Sequence, residues 1–277
     1  DSGGYSDANA RLETSDGDVR ASFDELGSLT MTTGDGSVDA NLSGDVAGAV
    51  ELSTDDGSAT FNGAGVGSIT GRTGSGPVAV NCAGVGGDVD LSSDDGAVAV
   101  NCAGANSLTM RSGSGSLTAN PGSVTEDVRL STDDGGVTIN LGDAKSITLE
   151  SGAGNVVANF DSAEGDVELT TDDGDVIFNM GSANAVRART GAGKVEAHIA
   201  GAEQIVELDT GDGEIRLTMS ADFACDIEAT TDDGRVIVEC DLDGVDTTDG
   251  SVTGTRNGGG TPVRLHAGVG DVIISVD

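Results

Sequence analysis

The chain has 277 residues with 48 acidic and 13 basic side chains, a formal net charge of 13 − 48 = −35. That charge excludes nucleic acid and anionic membrane surfaces as partners, because both need a basic face to neutralise phosphate. With 45 glycines, 2% aromatics and no tryptophan, an ordinary core built on large rings is excluded too. The core must be thin and made of Val, Ile, Leu and Ala, a supply that suits stacked repeats whose neighbours bury one another.

In chain order, a polar arm over residues 1–9 comes first, followed by a repeat domain over residues 10–277. A Ser/Thr-x-x-Gly turn recurs with its glycine at Gly17, Gly36, Gly57, Gly76, Gly96, Gly115, Gly135, Gly154, Gly174, Gly193, Gly213 and Gly234. Looser copies follow at Gly250 and Gly270. About fourteen copies of a ~20-residue unit are therefore expected. Apolar residues alternate on both sides of each turn: Val128, Leu130, Val137, Ile139 and Leu141 around Gly135, and Val167, Leu169, Val176, Phe178 and Met180 around Gly174. Period-two alternation marks half-buried strands, and turn residues such as Thr-Asp-Asp-Gly bond their own backbone. The predicted fold is all-β, a single parallel β-solenoid, with no helical periodicity of useful length.

Five residues after the turn glycine stands an asparagine in eight consecutive copies: Asn41, Asn62, Asn81, Asn101, Asn120, Asn140, Asn159 and Asn179. Amides in register are expected to hydrogen-bond along the stack. A longer period overlies the first. Asp-Asp-Gly turns (Asp55-Asp56, Asp94-Asp95, Asp133-Asp134, Asp172-Asp173) alternate with Gly-x-Gly turns, pairing copies into units of 39 or 40 residues. A ~20-residue coil with two strands and a ~39-residue coil with four both fit. The unbroken asparagine row favours the shorter.

Serial segments such as Gly165-Asp-Val-Glu-Leu-Thr-Thr-Asp-Asp-Gly-Asp-Val-Ile-Phe178 resemble the prokaryotic β-strand-repeat adhesin family, domains of unknown function of the parallel β-helix type. The resemblance covers about residues 10–270. It implies a cell-surface or extracellular location and brings no catalytic residues with it.

Three constellations invite a chemical reading. If the Asp-rich turns stack, Asp56, Asp95, Asp134, Asp173 and Asp212 form a carboxylate row that either splays into solvent or collects a hard cation, with Ca2+ the candidate. Cys82 and Cys102 share a register in successive copies, and Cys225 and Cys240 flank one turn. Two disulfides are expected, with buried thiols as the other reading, and disulfides would imply an oxidising compartment. His198 and His266 are isolated, and among the scattered arginines only Arg187 and Arg189 share a strand face. Nothing groups into acid–base machinery, so the chain is read as non-enzymatic. No apolar run approaches the ~20 residues of a membrane helix, so no membrane insertion is expected. Extreme acidity with only two lysines, Lys145 and Lys194, suits a salt- or cation-rich medium.

A solenoid exposes open strand edges unless something caps them. The alternating segment Asp271–Asp277 reads as a last, uncapped coil, and the repeat opens near Leu12. Stacking end to end would then join Leu12, Val19 and Phe23 of one copy to Val272, Ile274 and Val276 of the next, making a head-to-tail homopolymer. The function expected first is an extracellular structural filament. The alternative is a monomeric surface adhesin or cation-binding module, whose distorted stretch over residues 241–262 serves as the cap.

Overall fold

A computed structural model describes residues 8–277; most of the polar arm expected over residues 1–9 lies outside the described residues, and Asn9 already opens the first strand. The described residues form strands and turns with no helix, a parallel β-solenoid of about 11 turns rather than fourteen. Two compact units divide the chain, Asp1–Gly142 and Asp143–Asp277.

In the first unit each coil is a strand, a Ser/Thr-x-x-Gly turn, a second strand and a short loop. Strands on the near side of the turn stack in register, carrying Leu12, Met31, Leu52, Gly71, Leu91, Met110 and Leu130 along one row. Strands on the far side stack Ala21, Ala40, Phe61, Val80, Val100, Ala119 and Ile139. Apart from Leu12, half-buried in the first strand, these inward residues are buried, with Met31, Phe61 and Ile139 at 0% exposed. The shorter coil of about 20 residues is thus the observed one. Each strand pairs with the one about 20 residues on, as Leu12 with Met31 and Leu117 with Val137, whereas a 39-residue coil would pair residues about 39 apart.

The turn glycine is fixed by close approach. A Cβ built at Gly57 would lie 1.8 Å from the carbonyl oxygen of Gly36, and one at Gly96 2.0 Å from that of Gly76. Any side chain would push consecutive coils apart at this column, so the repeat tolerates only glycine there.

The second unit begins the same way and then departs from sequence order. One sheet runs Ser146–Ser151, Asp166–Thr171, Val176–Thr190 and Val195–Asp212 in order. The next neighbour of Val195–Asp212 is Thr261–Val269, which in turn pairs with Cys225–Asp233. On the other sheet Val272–Val276 lies between Ile215–Met219 and Val236–Val238. The last coil in sequence is therefore the last but one in space. Outside it, Cys225–Asp233 pairs antiparallel with Ser251–Arg256, which pairs antiparallel with Asp243–Thr248. The copy counted at Gly250 is part of this hairpin and is no coil.

Backbone chemistry explains the return. Asn257 has φ 50° and Gly258, Gly259 and Gly260 all have positive φ, a run that only Asn and Gly accept readily and that reverses the chain after the hairpin. Arg256 Nη2 donates to Ala221 O at 2.8 Å, and Asn257 Nδ2 donates to Ala221 O at 2.9 Å and Phe223 O at 3.1 Å, pinning the cap to the loop that leaves the stack. The inserted coil is clamped to the capping coil as well: Arg235 donates its backbone N–H and Nη2 to the Asp271 carboxylate at 2.9 and 3.0 Å. Those bonds hold the Asp271 carboxyl below its usual range.

This order corrects the expected assembly surface. Val272 and Ile274 are 0% exposed between two strands, so neither can meet another copy, and Val276 beside them is half-buried against Met219. Leu12, Val19 and Phe23 do lie in the first described coil, whose strand Asn9–Glu13 pairs with Ser28–Thr33 alone among the described strands. Ile274 packs between Leu217 and Val238 in register. Ile274→Asp should therefore fail to give a folded variant, losing roughly 4 kcal/mol or more. Urea denaturation followed by circular dichroism checks this, and a variant with wild-type midpoint would contradict the inserted coil.

Candidate functional site

Four chemical columns run along the coils. The first was present in the sequence only as a turn signature. Thr33, Thr54, Thr73, Ser93, Ser112 and Thr132 in the first unit, and Ser151, Thr171, Thr190, Thr210 and Thr231 in the second, are all buried. Each hydroxyl bonds the backbone, and most bridge two backbone groups. Ser93 Oγ accepts from Gly96 N–H at 2.7 Å and donates to Gly76 O, one coil back, at 2.9 Å. Thr171 repeats the pattern with Gly174 N–H at 3.2 Å and Gly154 O at 2.8 Å. Because the turn glycines come so close, their N–H and C=O groups are shut off from water, and the hydroxyl satisfies both.

Outside the turn runs the asparagine column. Asn62 donates Nδ2 to Asn41 Oδ1 at 3.0 Å, Asn81 to Asn62 at 3.2 Å, Asn101 to Asn81 at 2.9 Å, Asn120 to Asn101 at 2.9 Å and Asn140 to Asn120 at 2.8 Å. In the second unit Asn179 donates to Asn159 at 2.8 Å. His198 and Thr218 continue the same register position after Asn179. The column fixes register by chemistry, since a slipped coil would leave amides unpaired.

The aspartate turns do not make the cation row. With about 20 residues per coil, Asp56, Asp95 and Asp134 fall on alternate coils, and serines occupy the turns between them. Ser75 Oγ donates to Asp56 at 3.0 Å and Ser114 Oγ to Asp95 at 3.1 Å. Asp173 and Asp212 follow the same alternation in the second unit, with Ala192 between them. Two strand spacings, ~10 Å, separate successive carboxylates, too far to share one cation. Among the described residues no three His, Cys, Asp or Glu side chains gather in a way that could hold a metal ion. The expected Ca2+ site is thereby corrected to a set of solvated turns.

All four cysteines are free thiols, which corrects both expected disulfides. Cys82 and Cys102 follow the paired Asn81 and Asn101 on neighbouring strands. The interaction between the two thiols, with burial, pushes Cys82 up, while it draws Cys102 down. Cys225 is fully buried against Met219, its Sγ 3.8 Å from the thioether sulfur. Cys240 stands half-buried beyond the end of the capping strand. Burial raises Cys225 from 9.0 to about 11.

The fourth column is ionic and lies on the outer face of the second unit. Arg187, Glu207, Arg264 and Glu228 occupy one register row on four neighbouring strands. They pair in sequence: Arg187 Nε–Glu207 at 3.0 Å, Arg264–Glu207 at 3.6 Å and Arg264–Glu228 at 3.7 Å. Beside them runs a second row, Arg189, Asp209, His266 and Thr230. The second row lines a cleft of about 360 Å³ together with Glu207, Arg264 and Glu228 of the first. The sequence showed only Arg187 and Arg189 as neighbours. Arg264 and His266 join them because the inserted strand carries them there.

Two outcomes check these columns. Ser93→Ala leaves Gly96 N–H and Gly76 C=O without their partner and should cost about 1–3 kcal/mol in urea unfolding, whereas Ser93→Thr, the residue other coils use, should be close to neutral. Cys225 titrates at a higher pH folded than unfolded, so its contribution to stability is full below pH 9.0 and is lost as pH rises through about 11. Chemical denaturation across that window should show a decline on the order of 2 kcal/mol that Cys225→Ala flattens.

No curated protein matches the chain, and no solved structure does. A family model described as Toastrack DUF4097 matches residues 62–181 and, overlapping, residues 105–275. The overlap is what a stack of equivalent coils produces, and the model stands for a β-solenoid-like fold with no activity attached. Matched over well more than half its length, across both units, the chain belongs to the Toastrack DUF4097 family.

Proposed function

We propose that this chain is a non-enzymatic β-solenoid module, presented at the cell surface or outside the cell, that works as a capped monomer and binds through its faces. The observation that carries this reading is the C-terminal cap. The coil Val263–Val276 is covered by the coil Cys225–Val238, and the hairpin Asp243–Arg256 runs antiparallel along that coil's outer strand. An antiparallel edge does not continue a parallel stack, so head-to-tail growth lacks one of its two surfaces.

Charge supports the same reading. At −35, copies of the chain repel one another at low salt. Salt bridges such as Arg20–Asp39 and Arg72–Asp90 are exposed, so they add little stability and leave the acidic faces solvated. No helix among the described residues is long and apolar enough to cross a membrane. Free thiols remove the disulfide argument for an oxidising compartment, so the location rests on the acidity and the adhesin-type repeat.

Sedimentation velocity and electron microscopy at low and high salt, with Ca2+ or Mg2+ at matched ionic strength, test the proposal. A single monomeric species throughout is expected, with Ca2+ and Mg2+ acting alike through screening. Unbranched fibres that grow with protein concentration would restore the filament reading and overturn this one.

A further inference from the structure

The cleft of the second unit holds two charges that the protein leaves open. Arg187, Glu207, Arg264 and Glu228 satisfy one another along the first row. In the second row Arg189 and Asp209 are register neighbours on adjacent strands, yet neither side chain makes an ion pair or hydrogen bond among the described residues. Opposite charges facing one another across strands ordinarily pair. Here the two residues stand on adjacent strands, ~4.8 Å apart in the backbone, on the wall of the same cleft of about 360 Å³. That size lies within the range of small-molecule sites.

The third member of the row is set up to receive a donor. Thr230 Oγ1 donates to Leu265 O at 3.3 Å and lies 3.1 Å from His266 Nδ1. With its proton committed to Leu265, Thr230 accepts from Nδ1–H. In that tautomer of the imidazole Nε2 is the ring's acceptor.

The lining decides the ligand class. A simple anion meets Glu207, Asp209 and Glu228; a simple cation meets Arg189 and Arg264. A metal ion lacks three ligands. A molecule carrying both charges close together meets complementary groups at each end. We propose that the cleft is a binding site for a small zwitterion, an α-amino acid with a polar side chain. Its carboxylate pairs with Arg189, its ammonium with Asp209, and its side-chain donor reaches His266. This gives the capped module a ligand, and the two readings fail separately, since assembly is read by sedimentation and the ligand by titration.

L-Serine is the first probe, with two truncated forms as controls: 3-hydroxypropionate, which lacks the amine, and ethanolamine, which lacks the carboxylate. Titrations followed by NMR of the labelled full chain, at matched ionic strength, should show saturable shifts with serine. Either truncated form should bind about tenfold more weakly or worse, the loss expected for one charge-assisted hydrogen-bonded pair. Arg189→Gln and Asp209→Asn should each weaken serine by a similar factor while leaving the melting temperature unchanged, because both side chains point away from the core and have no partner to lose. Absence of saturable binding, equal binding of either truncated form, or serine binding indifferent to both variants would overturn the site.

Discussion

Everything in this fold depends on how closely successive turns approach one another. At the turn column the glycine of one coil sits where a Cβ would be 1.8–2.2 Å from the carbonyl oxygen of the coil before, as at Gly57, Gly96 and Gly115. Approach that close excludes water from the backbone at the corner, and a buried polar backbone group without a partner is costly. The Ser/Thr hydroxyl three residues earlier resolves it by bonding up to its own glycine and back to the previous one. Glycine and hydroxyl form one device, and neither works without the other. With the corner fixed, the strands on either side have no freedom of register, and a core of Val, Leu and Ala suffices.

Much of this was legible in the sequence because it repeats. The Ser/Thr-x-x-Gly spacing gave coil length, and the asparagine row gave its stacking, since both depend on neighbours one coil away. The order of coils at the C-terminal side was not legible. Val263, Leu265, Val272 and Ile274 carry the same inward pattern as any other coil, and that pattern says that a segment is a coil without saying between which two coils it sits. Only the irregular residues 241–262 hinted at a departure. The aspartate row failed for a related reason. The turn motif showed which residues face outward, but the choice between neighbouring and alternate coils depended on the coil length.

The ionic rows show how topology makes surface chemistry. Arg187 and Arg189 are separated from Arg264 and His266 by more than seventy positions, and a plain run of coils would have kept them apart. Insertion of Thr261–Val269 beside Val195–Asp212 places a basic residue and a histidine between two acidic strands. A chain with so few cations thereby concentrates several of them on one face.

The inserted coil also separates the order of synthesis from the order in space. A plain solenoid can extend by adding each coil to the one just made. Here the segment Cys225–Val238 emerges before the strands it must rest on, and until Thr261–Val276 has been made its partner is the hairpin strand Ser251–Arg256 on its outer side. Contacts spanning 57 positions, such as Val206 with Val263, have to close a long loop before they contribute any stability. This end of the stack therefore closes longer loops than its plain coils do, and the cap is set only once Thr261–Val276 lies beneath it.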